Sequence, residues 1–150
     1  MSTFSTDVEV RFGHCDPAGI VYYPRYFEMI NGVVEDWLAH GIGVSMPALL
    51  YERQLVVPTV SFTVEFPLPS RFGDVLTFMI HVSKIGRTSS TQAIRAVCNG
   101  EDRLLARQVI VWVSADKRRP QSIPDDIRAR LATFVVTPPA DRGLGTDRPS

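Results

Sequence analysis

Apolar and polar side chains alternate in residues 8–12, with the apolar positions at Val8, Val10 and Phe12. A period of two is typical of a half-buried strand, so a strand is predicted here. Pro24 suits the first turn of a helix, and after it apolar side chains recur three and four positions apart, at Phe27, Ile30, Val34, Trp37 and Leu38. This spacing predicts an amphipathic helix over residues 24–40, ended by Gly41.

The second half of the chain has the pattern of a sheet. Residues 41–58 contain several glycines and prolines and predict an irregular connection with one helical turn. Strict alternation then returns over residues 59–66, with apolar side chains at Val60, Phe62, Val64 and Phe66. Three further strands are predicted, at residues 74–84, 88–98 and 104–113. Turn residues at Gly86-Arg87 and Asn99-Gly100 join these three, which makes neighbouring strands antiparallel.

The C-terminal part is predicted to hold one short helix and a tail. Residues 122–125 have the composition of a helix start, and the helix after them has Ile127, Leu131 and Phe134 on its apolar side. Residues 137–150 are rich in proline, glycine and charge, and we predict that they are disordered. Only the helix over residues 24–40 is long enough to cover a sheet. The predicted fold is therefore α+β, one domain over residues 1–136 with an antiparallel sheet wrapped around one long central helix.

Composition narrows the classes of function. The 150 residues are 45% hydrophobic, which suits a single domain with a sizeable core. Lysine plus arginine equal aspartate plus glutamate at sixteen each, so net charge does not draw the chain to nucleic acid or to a membrane surface. The two cysteines form no disulfide framework or metal-binding spacing, and the N-terminus has no signal-peptide pattern. We therefore expect a cytoplasmic protein.

The candidate chemistry lies at Asp16, an isolated carboxylate in the loop between the first strand and the long helix. Pro17 disfavours a helical backbone at Asp16 and stiffens the loop, and Gly19 permits a further turn. The first amides of the helix, near residues 23–26, point back toward this loop and form the positive end of the helix dipole. A carboxylate opposite free amides has the makings of a hydrolytic site, with a nucleophile or base facing an oxyanion hole.

Residues 13–28 have the sequence GHCDPAGIVYYPRYFE, which resembles the signature of the 4-hydroxybenzoyl-CoA thioesterase family of hot-dog proteins. Residues 71–89, RFGDVLTFMIHVSKIGRTS, resemble the family's second and third sheet strands, so the likeness covers residues 6–135. The resemblance implies that Asp16 attacks an acyl-CoA thioester or activates water for that attack. It also implies that an amide at or near Tyr23 polarises the thioester carbonyl. No metal or other cofactor is implied.

The same resemblance suggests where the substrate binds and how the chains assemble. His14, Gly19, Tyr22 and Tyr26 are candidates for contact with the substrate, and core packing is the alternative for the tyrosines. Candidates for contact with the phosphates and the pantetheine arm of CoA are Lys84, Arg87, Ser89, Ser90, Lys117, Arg118 and Arg119. Family members pair their sheets edge to edge as homodimers or homotetramers with active sites at the interface, so we expect the same assembly here.

Several alternatives remain open from the sequence. Cys15 has no evident histidine partner and is expected to be a small packing residue. Glu65 is a possible second carboxylate, and Glu28 or Glu35 would replace Asp16 if the catalytic acid came from the central helix. The predicted activity is hydrolysis of an aromatic or short-to-medium acyl-CoA. A thioesterase for acyl carrier protein and a non-catalytic acyl-CoA-binding protein are the alternatives. The acyl group is not determined.

Overall fold

The computed structural model describes residues 3–136 of the chain, so the predicted disorder of residues 137–150 lies outside the described residues. Three α-helices and eight strands follow one another within this range. In chain order they are β1 (Phe4–Glu9), α1 (Pro24–Asp36), α2 (Met46–Tyr51), β2 (Leu55–Val56), β3 (Thr59–Glu65), β4 (Val75–Ile85), β5 (Ser89–Cys98), β6 (Glu101–Val111), β7 (Val113–Ser114), β8 (Arg119–Pro120) and α3 (Asp125–Ala132).

The main sheet has five strands in the order β1-β4-β5-β6-β3, and every neighbouring pair is antiparallel. Cross-strand register places buried side chains on one face, as in the pairs Phe78↔Ala96 and Ile80↔Ile94. Strands β2, β7 and β8 form a separate three-stranded sheet. The predicted antiparallel sheet is thus confirmed, and β3 and β1 are its two edges.

Helix α1 supplies the other side of the core with the buried side chains Tyr26, Met29, Ile30, Val33 and Val34. This arrangement is the predicted α+β fold, a sheet around one long helix. Between residues 3 and 136, no helix has both the length and the apolar character that crossing a membrane requires.

The end of the long helix differs from the prediction at Gly41. The helix continues from Trp37 to Ile42 with π-helical hydrogen bonding, and it ends where Gly43 adopts a φ of +88°. A Cβ on Gly41 would lie 2.7 Å from Cδ1 of Trp37 and 3.0 Å from Cζ of Phe134. Glycine is therefore required at this position for close packing of two aromatic rings, and it does not end the helix.

The first strand also differs from the prediction. It spans Phe4–Glu9, and the chain then leaves the sheet, so Phe12 begins a single 3-10 turn and is 83% exposed. Val10 is fully buried, and its amide donates to the carbonyl of Asp74. The predicted apolar face is likewise incomplete in β3, because a register shift between Thr59 and Ser61 leaves Val60 60% exposed.

Candidate active site

Asp16 begins a tight turn that holds its carboxylate in a fixed direction. Its carbonyl accepts the Gly19 amide at 3.0 Å, and Gly19 has a φ of +76°, which glycine adopts without strain. The Asp16 Oδ1 atom accepts the Ala18 amide at 2.9 Å, as aspartate commonly does in turns. Within residues 3–136 Oδ2 has no hydrogen-bond partner. One carboxylate oxygen therefore orients the group, and the other has no partner among the described residues.

The two arms of this turn are joined to each other, and the second arm leads directly into α1. Cys15 and Val21 form an antiparallel bridge, and the Tyr22 amide donates to the His14 carbonyl at 2.9 Å. We define residues 14–22 as the Asp16 loop. Because its arms are paired, the turn at Asp16 and the start of α1 belong to one hydrogen-bonded unit.

The start of α1 leaves one amide without an acceptor in the described part of the chain. Pro24 has no N–H, and the amides of Arg25 and Tyr26 donate to the carbonyls of Tyr22 and Tyr23, at 2.8 and 3.1 Å. With the Tyr22 amide also paired, the Tyr23 amide is the free one. It is the donor that the sequence predicted for the thioester carbonyl.

Asp16 lines a cleft of about 470 Å³ together with Phe12, Cys15, Pro17, Gly19 and Phe72. The rings of Phe12 and Phe72 meet edge to face with centroids 6.2 Å apart, and they are 83% and 59% exposed. The sequence analysis did not place either phenylalanine in the site. The signal was present only as two aromatic-glycine pairs, Phe12-Gly13 and Phe72-Gly73, that mark turns far apart in the sequence.

His14 and Cys15 have local partners. His14 Nδ1 accepts the Arg11 amide at 2.9 Å, and the imidazole lines a smaller cleft of about 220 Å³ with Glu28 and Met29. It makes no hydrogen bond to Asp16 in the described chain. The Cys15 thiol lies 3.5 Å from the carbonyl of Arg11, without a histidine partner among residues 3–136.

The three tyrosines at the start of α1 have two kinds of environment. Tyr26 is buried and stacks on Phe66 with centroids 5.0 Å apart, so it belongs to the core. Tyr22 and Tyr23 are 52% and 61% exposed, and their rings lie edge to face. These two side chains are therefore available beside the free amide.

The basic residues predicted to hold CoA lie at the opposite end of the sheet from Asp16. Strand β4 starts next to the Asp16 loop and has 11 residues, so its far end is about 33 Å away at ~3.3 Å per residue. Lys84 and Arg87 lie at that far end, where Arg87 Nη1 contacts Ser122 Oγ at 3.1 Å. Ser89 begins β5 there, and Arg118 lies in the turn before β8. One chain does not bring these side chains to its own Asp16.

Ser90 and the rival carboxylates are also placed by the structure. Ser90 is 1% exposed and accepts a 2.6 Å hydrogen bond from Gln92, so it faces the core. Glu28 pairs with Arg25 at 2.8 Å, whereas Glu35 and Glu65 are exposed to solvent. Within the described residues, no group of three or more histidine, cysteine, aspartate or glutamate side chains is arranged to hold a metal ion.

The comparison with known proteins decides the family. The model of the thioesterase-like superfamily matches residues 10–131. The chain belongs to this superfamily. Over 130 residues it is 30% identical to the acyl-CoA thioester hydrolase YbgC of Escherichia coli O6:H1. The aligned region covers 85% of this chain and 95% of the relative.

Two further comparisons agree with this assignment. Over 123 residues the chain is 28% identical to the 4-hydroxybenzoyl-CoA thioesterase of Pseudomonas sp. strain CBS-3, with 76% of this chain and 85% of the relative covered. The crystal structure of a thioesterase superfamily protein from Jannaschia sp. matches with a TM-score of 0.85 at 23% identity, over 91% of this chain and 95% of that one. The hot-dog fold and the family inferred from residues 13–28 are thus confirmed, and the protein is a thioester hydrolase.

Proposed function

We propose that this thioesterase hydrolyses acyl-CoA, with Asp16 as the group that attacks the thioester or activates water for the attack. The observation that supports the proposal best is the Asp16 carboxylate itself. One oxygen is fixed by the Ala18 amide, the other has no hydrogen-bond partner within residues 3–136, and Asp16 lines a cleft of about 470 Å³. A carboxylate held in this way has lost orientational freedom before substrate binds, which is how positioning lowers a barrier.

The same carboxylate serves either of two routes. As a nucleophile, Asp16 adds to the thioester carbon and expels the CoA thiolate, which leaves a mixed anhydride that water then hydrolyses. As a general base, Asp16 takes a proton from water while the hydroxide adds to the carbon and the thiolate leaves. In both routes negative charge develops on the carbonyl oxygen, and the Tyr23 amide is the proposed donor to it. A single donor of this kind typically contributes about 10²- to 10³-fold in kcat.

We propose an aromatic acyl group as the preferred substrate, with short-to-medium aliphatic acyl groups as the alternative. The exposed rings of Phe12 and Phe72 offer a flat acyl group an apolar contact beside Asp16. The 4-hydroxybenzoyl-CoA thioesterase of Pseudomonas, a relative by sequence, has an aromatic substrate in its name.

The position of the basic residues supports a site shared between two copies of the chain. Strand β3 is an edge of the sheet, with Thr59 opposite Ile110 near the Arg87 end and Glu65 opposite Leu105 near the Asp16 end. If β3 paired with β3 of a second copy of the chain, the two strands would be antiparallel, and the main sheet of the second copy would run in the opposite direction. The Arg87 end of one copy would then lie beside the Asp16 end of the other. We therefore propose a homodimer, or a homotetramer built from it, in which Lys84, Arg87, Ser89 and Arg118 hold the CoA bound at the other copy's Asp16.

The proposal is tested by free-thiol release from a panel of aromatic and aliphatic acyl-CoAs, with wild-type protein and Asp16→Asn compared side by side. We expect rapid release by wild-type protein and a loss of about 10³-fold or more in Asp16→Asn, which keeps the shape but not the charge. Glu52→Gln is the control, since Glu52 is an exposed carboxylate at the end of α2, outside the proposed site.

The other outcomes identify the alternatives. Near-normal turnover in Asp16→Asn would rule out Asp16 as the catalytic carboxylate. Release from an acyl carrier protein thioester, but from none of the acyl-CoAs, would favour the carrier protein as substrate. Tight binding of acyl-CoA without release would favour a non-catalytic role.

A further inference from the structure

The second half of the Asp16 loop is hydrogen-bonded to the residues that precede β4, which we call the 69–74 turn. The Val21 amide donates to the Ser70 carbonyl at 2.9 Å, and the Phe72 amide donates to the Gly19 carbonyl at 2.9 Å. These two bonds lie on either side of Ile20, which itself forms a bridge with Arg71. The position of the Asp16 loop therefore depends on where the 69–74 turn lies.

Arg103 of β6 holds the 69–74 turn from the side of the sheet. Its Nη1 atom donates to the Pro69 carbonyl at 2.9 Å and to Asp74 Oδ2 at 2.9 Å, and lies 3.4 Å from Ser70 Oγ. The side chain of Arg103 is 9% exposed, and that of Asp74 is 22% exposed. One buried guanidinium group thus joins the first and last residues of the turn.

Asp74 also orders the interior of the turn. Its Oδ2 atom accepts the Arg71 amide at 2.9 Å, and its own amide donates to the Arg71 carbonyl at 3.0 Å. The pKa of Asp74 lies below its usual range, first because the carboxylate accepts a hydrogen bond from the Arg71 amide. Burial raises this pKa, and the hydrogen bond from the Arg103 guanidinium lowers it further. The carboxylate is therefore ionised at neutral pH, where the Arg103 pair is complete.

We propose that Arg103 and Asp74 are positioning residues for hydrolysis at Asp16, acting through the 69–74 turn. This inference rests on the proposed function, since it takes Asp16 as the reacting carboxylate. Neither residue lines the Asp16 cleft; both line a separate cleft of about 360 Å³ with Leu68 and Asn99. Their influence on Asp16 therefore passes through the backbone bonds of Ser70 and Phe72, and substrate does not touch them.

The test compares kcat, KM and melting temperature for Arg103→Met, Arg103→Lys and Asp74→Asn. We expect Arg103→Met to lower kcat by about tenfold or more with KM changed less than about threefold, since a displacement near 1 Å costs up to about 10²-fold in rate. Arg103→Lys should recover part of the loss, because the ammonium group keeps the positive charge, although lysine does not place a nitrogen where Nη1 contacts Pro69, Ser70 and Asp74. If Arg103→Met fails to fold, Arg103→Lys and Asp74→Asn supply the measurement.

A double substitution and a chemical probe distinguish a positioning role of Arg103 from a merely structural one. In an Asp16→Asn background, Arg103→Lys should cause no further loss of residual turnover, because the residue it positions is already inactive. The thiol of Cys15, next to Asp16, should react with iodoacetamide faster in Arg103→Lys than in wild-type protein, because the Asp16 loop is held less firmly. The comparison requires that the two proteins have the same melting temperature. Peptide mapping distinguishes this thiol from buried Cys98.

The matched control is Arg95→Lys, because Arg95 pairs with Asp102 across the neighbouring strands β5 and β6 without touching the 69–74 turn. Arg95→Lys should leave kcat and Cys15 reactivity unchanged. Unchanged kcat in folded Arg103→Lys and Asp74→Asn, with Asp16→Asn inactive, would overturn the positioning role alone. The positioning role would also be overturned if Arg103→Lys lowered kcat in the Asp16→Asn background by the same factor as in the wild-type background. A fully active Asp16→Asn would overturn the proposed function and, with it, this inference.

Discussion

Phe12 and Phe72 meet edge to face at the cleft that Asp16 lines, with ring centroids 6.2 Å apart and planes at 84°. They come from different segments, one after β1 and one before β4, and both are more exposed than a large apolar ring usually is. Their shared position is the reason why we propose that they contact the acyl group.

The first prediction concerns these rings. Phe72→Ala should raise KM for aromatic acyl-CoAs by about tenfold while aliphatic substrates change less, because the aromatic pair contact is worth about 0.5–1.5 kcal/mol beyond the area buried. Steady-state kinetics on both substrate classes measures the ratio. Val75→Ala is the control, since Val75 is half-exposed nearby but does not line the cleft. An equal loss for both classes would contradict a role in acyl selection.

The second prediction uses two glycines of the long helix. Gly41→Ala should destabilise the fold by about 1–3 kcal/mol, because its Cβ would overlap the Trp37 ring. Gly32→Ala, in α1 with no atom within 4 Å of the new Cβ, should instead stabilise the fold by about 0.4–1 kcal/mol. Urea unfolding of both variants measures the two free energies. A neutral Gly41→Ala would mean that the Trp37 ring moves aside without cost.

The third prediction addresses the shared site. Val60→Lys places a charge on the exposed edge strand β3 and should shift the protein toward monomer, with turnover falling in parallel. Analytical ultracentrifugation and thiol release on the same samples compare the two effects. Val56→Lys in the small sheet is the control, since Val56 is 37% exposed and belongs to β2. A fully active monomer would show that one chain contains the whole site.

The fourth prediction is a pH dependence of stability at His81. Burial lowers the pKa of His81 below the ordinary histidine value of 6.5, so the unfolded chain binds a proton there more readily than the folded one. Stability from this group is therefore complete above pH 6.5 and decreases as the pH falls from there toward the folded pKa. The melting temperature of His81→Gln should decline less than that of wild-type protein between pH 7.5 and pH 5. Parallel declines would contradict the assignment.

The sequence predicted the strands and the long helix well because their periodicities are local. It failed where a distant contact decides the backbone. Gly41 has the composition of a helix end, yet Phe134, from the other end of the chain, packs against it and against Trp37. Phe12 continues an alternating pattern, but Val10 already pairs with Asp74, and the chain turns away from the sheet.

The site was predicted at Asp16 because a short segment contains the whole motif. The supporting parts were missed for the opposite reason. Arg103 lies 87 positions after Asp16, and in our proposal it acts on Asp16 through the 69–74 turn. No spacing or composition in the sequence links Arg103 and Asp74 to Asp16. The basic CoA candidates were chosen for their charge and the two serines from the family resemblance, and neither criterion shows at which end of the sheet a side chain lies.

The bonds between the Asp16 loop and the 69–74 turn join backbone atoms only. The backbone that fixes the Asp16 carboxylate is thus separate from the side chains that we propose to face the acyl group, since Phe12 and Phe72 contribute only their rings to the cleft. An engineer could therefore exchange these two side chains to change which acyl group is accepted while the hydrolytic group stays in place. Selection acting on such a protein has the same freedom.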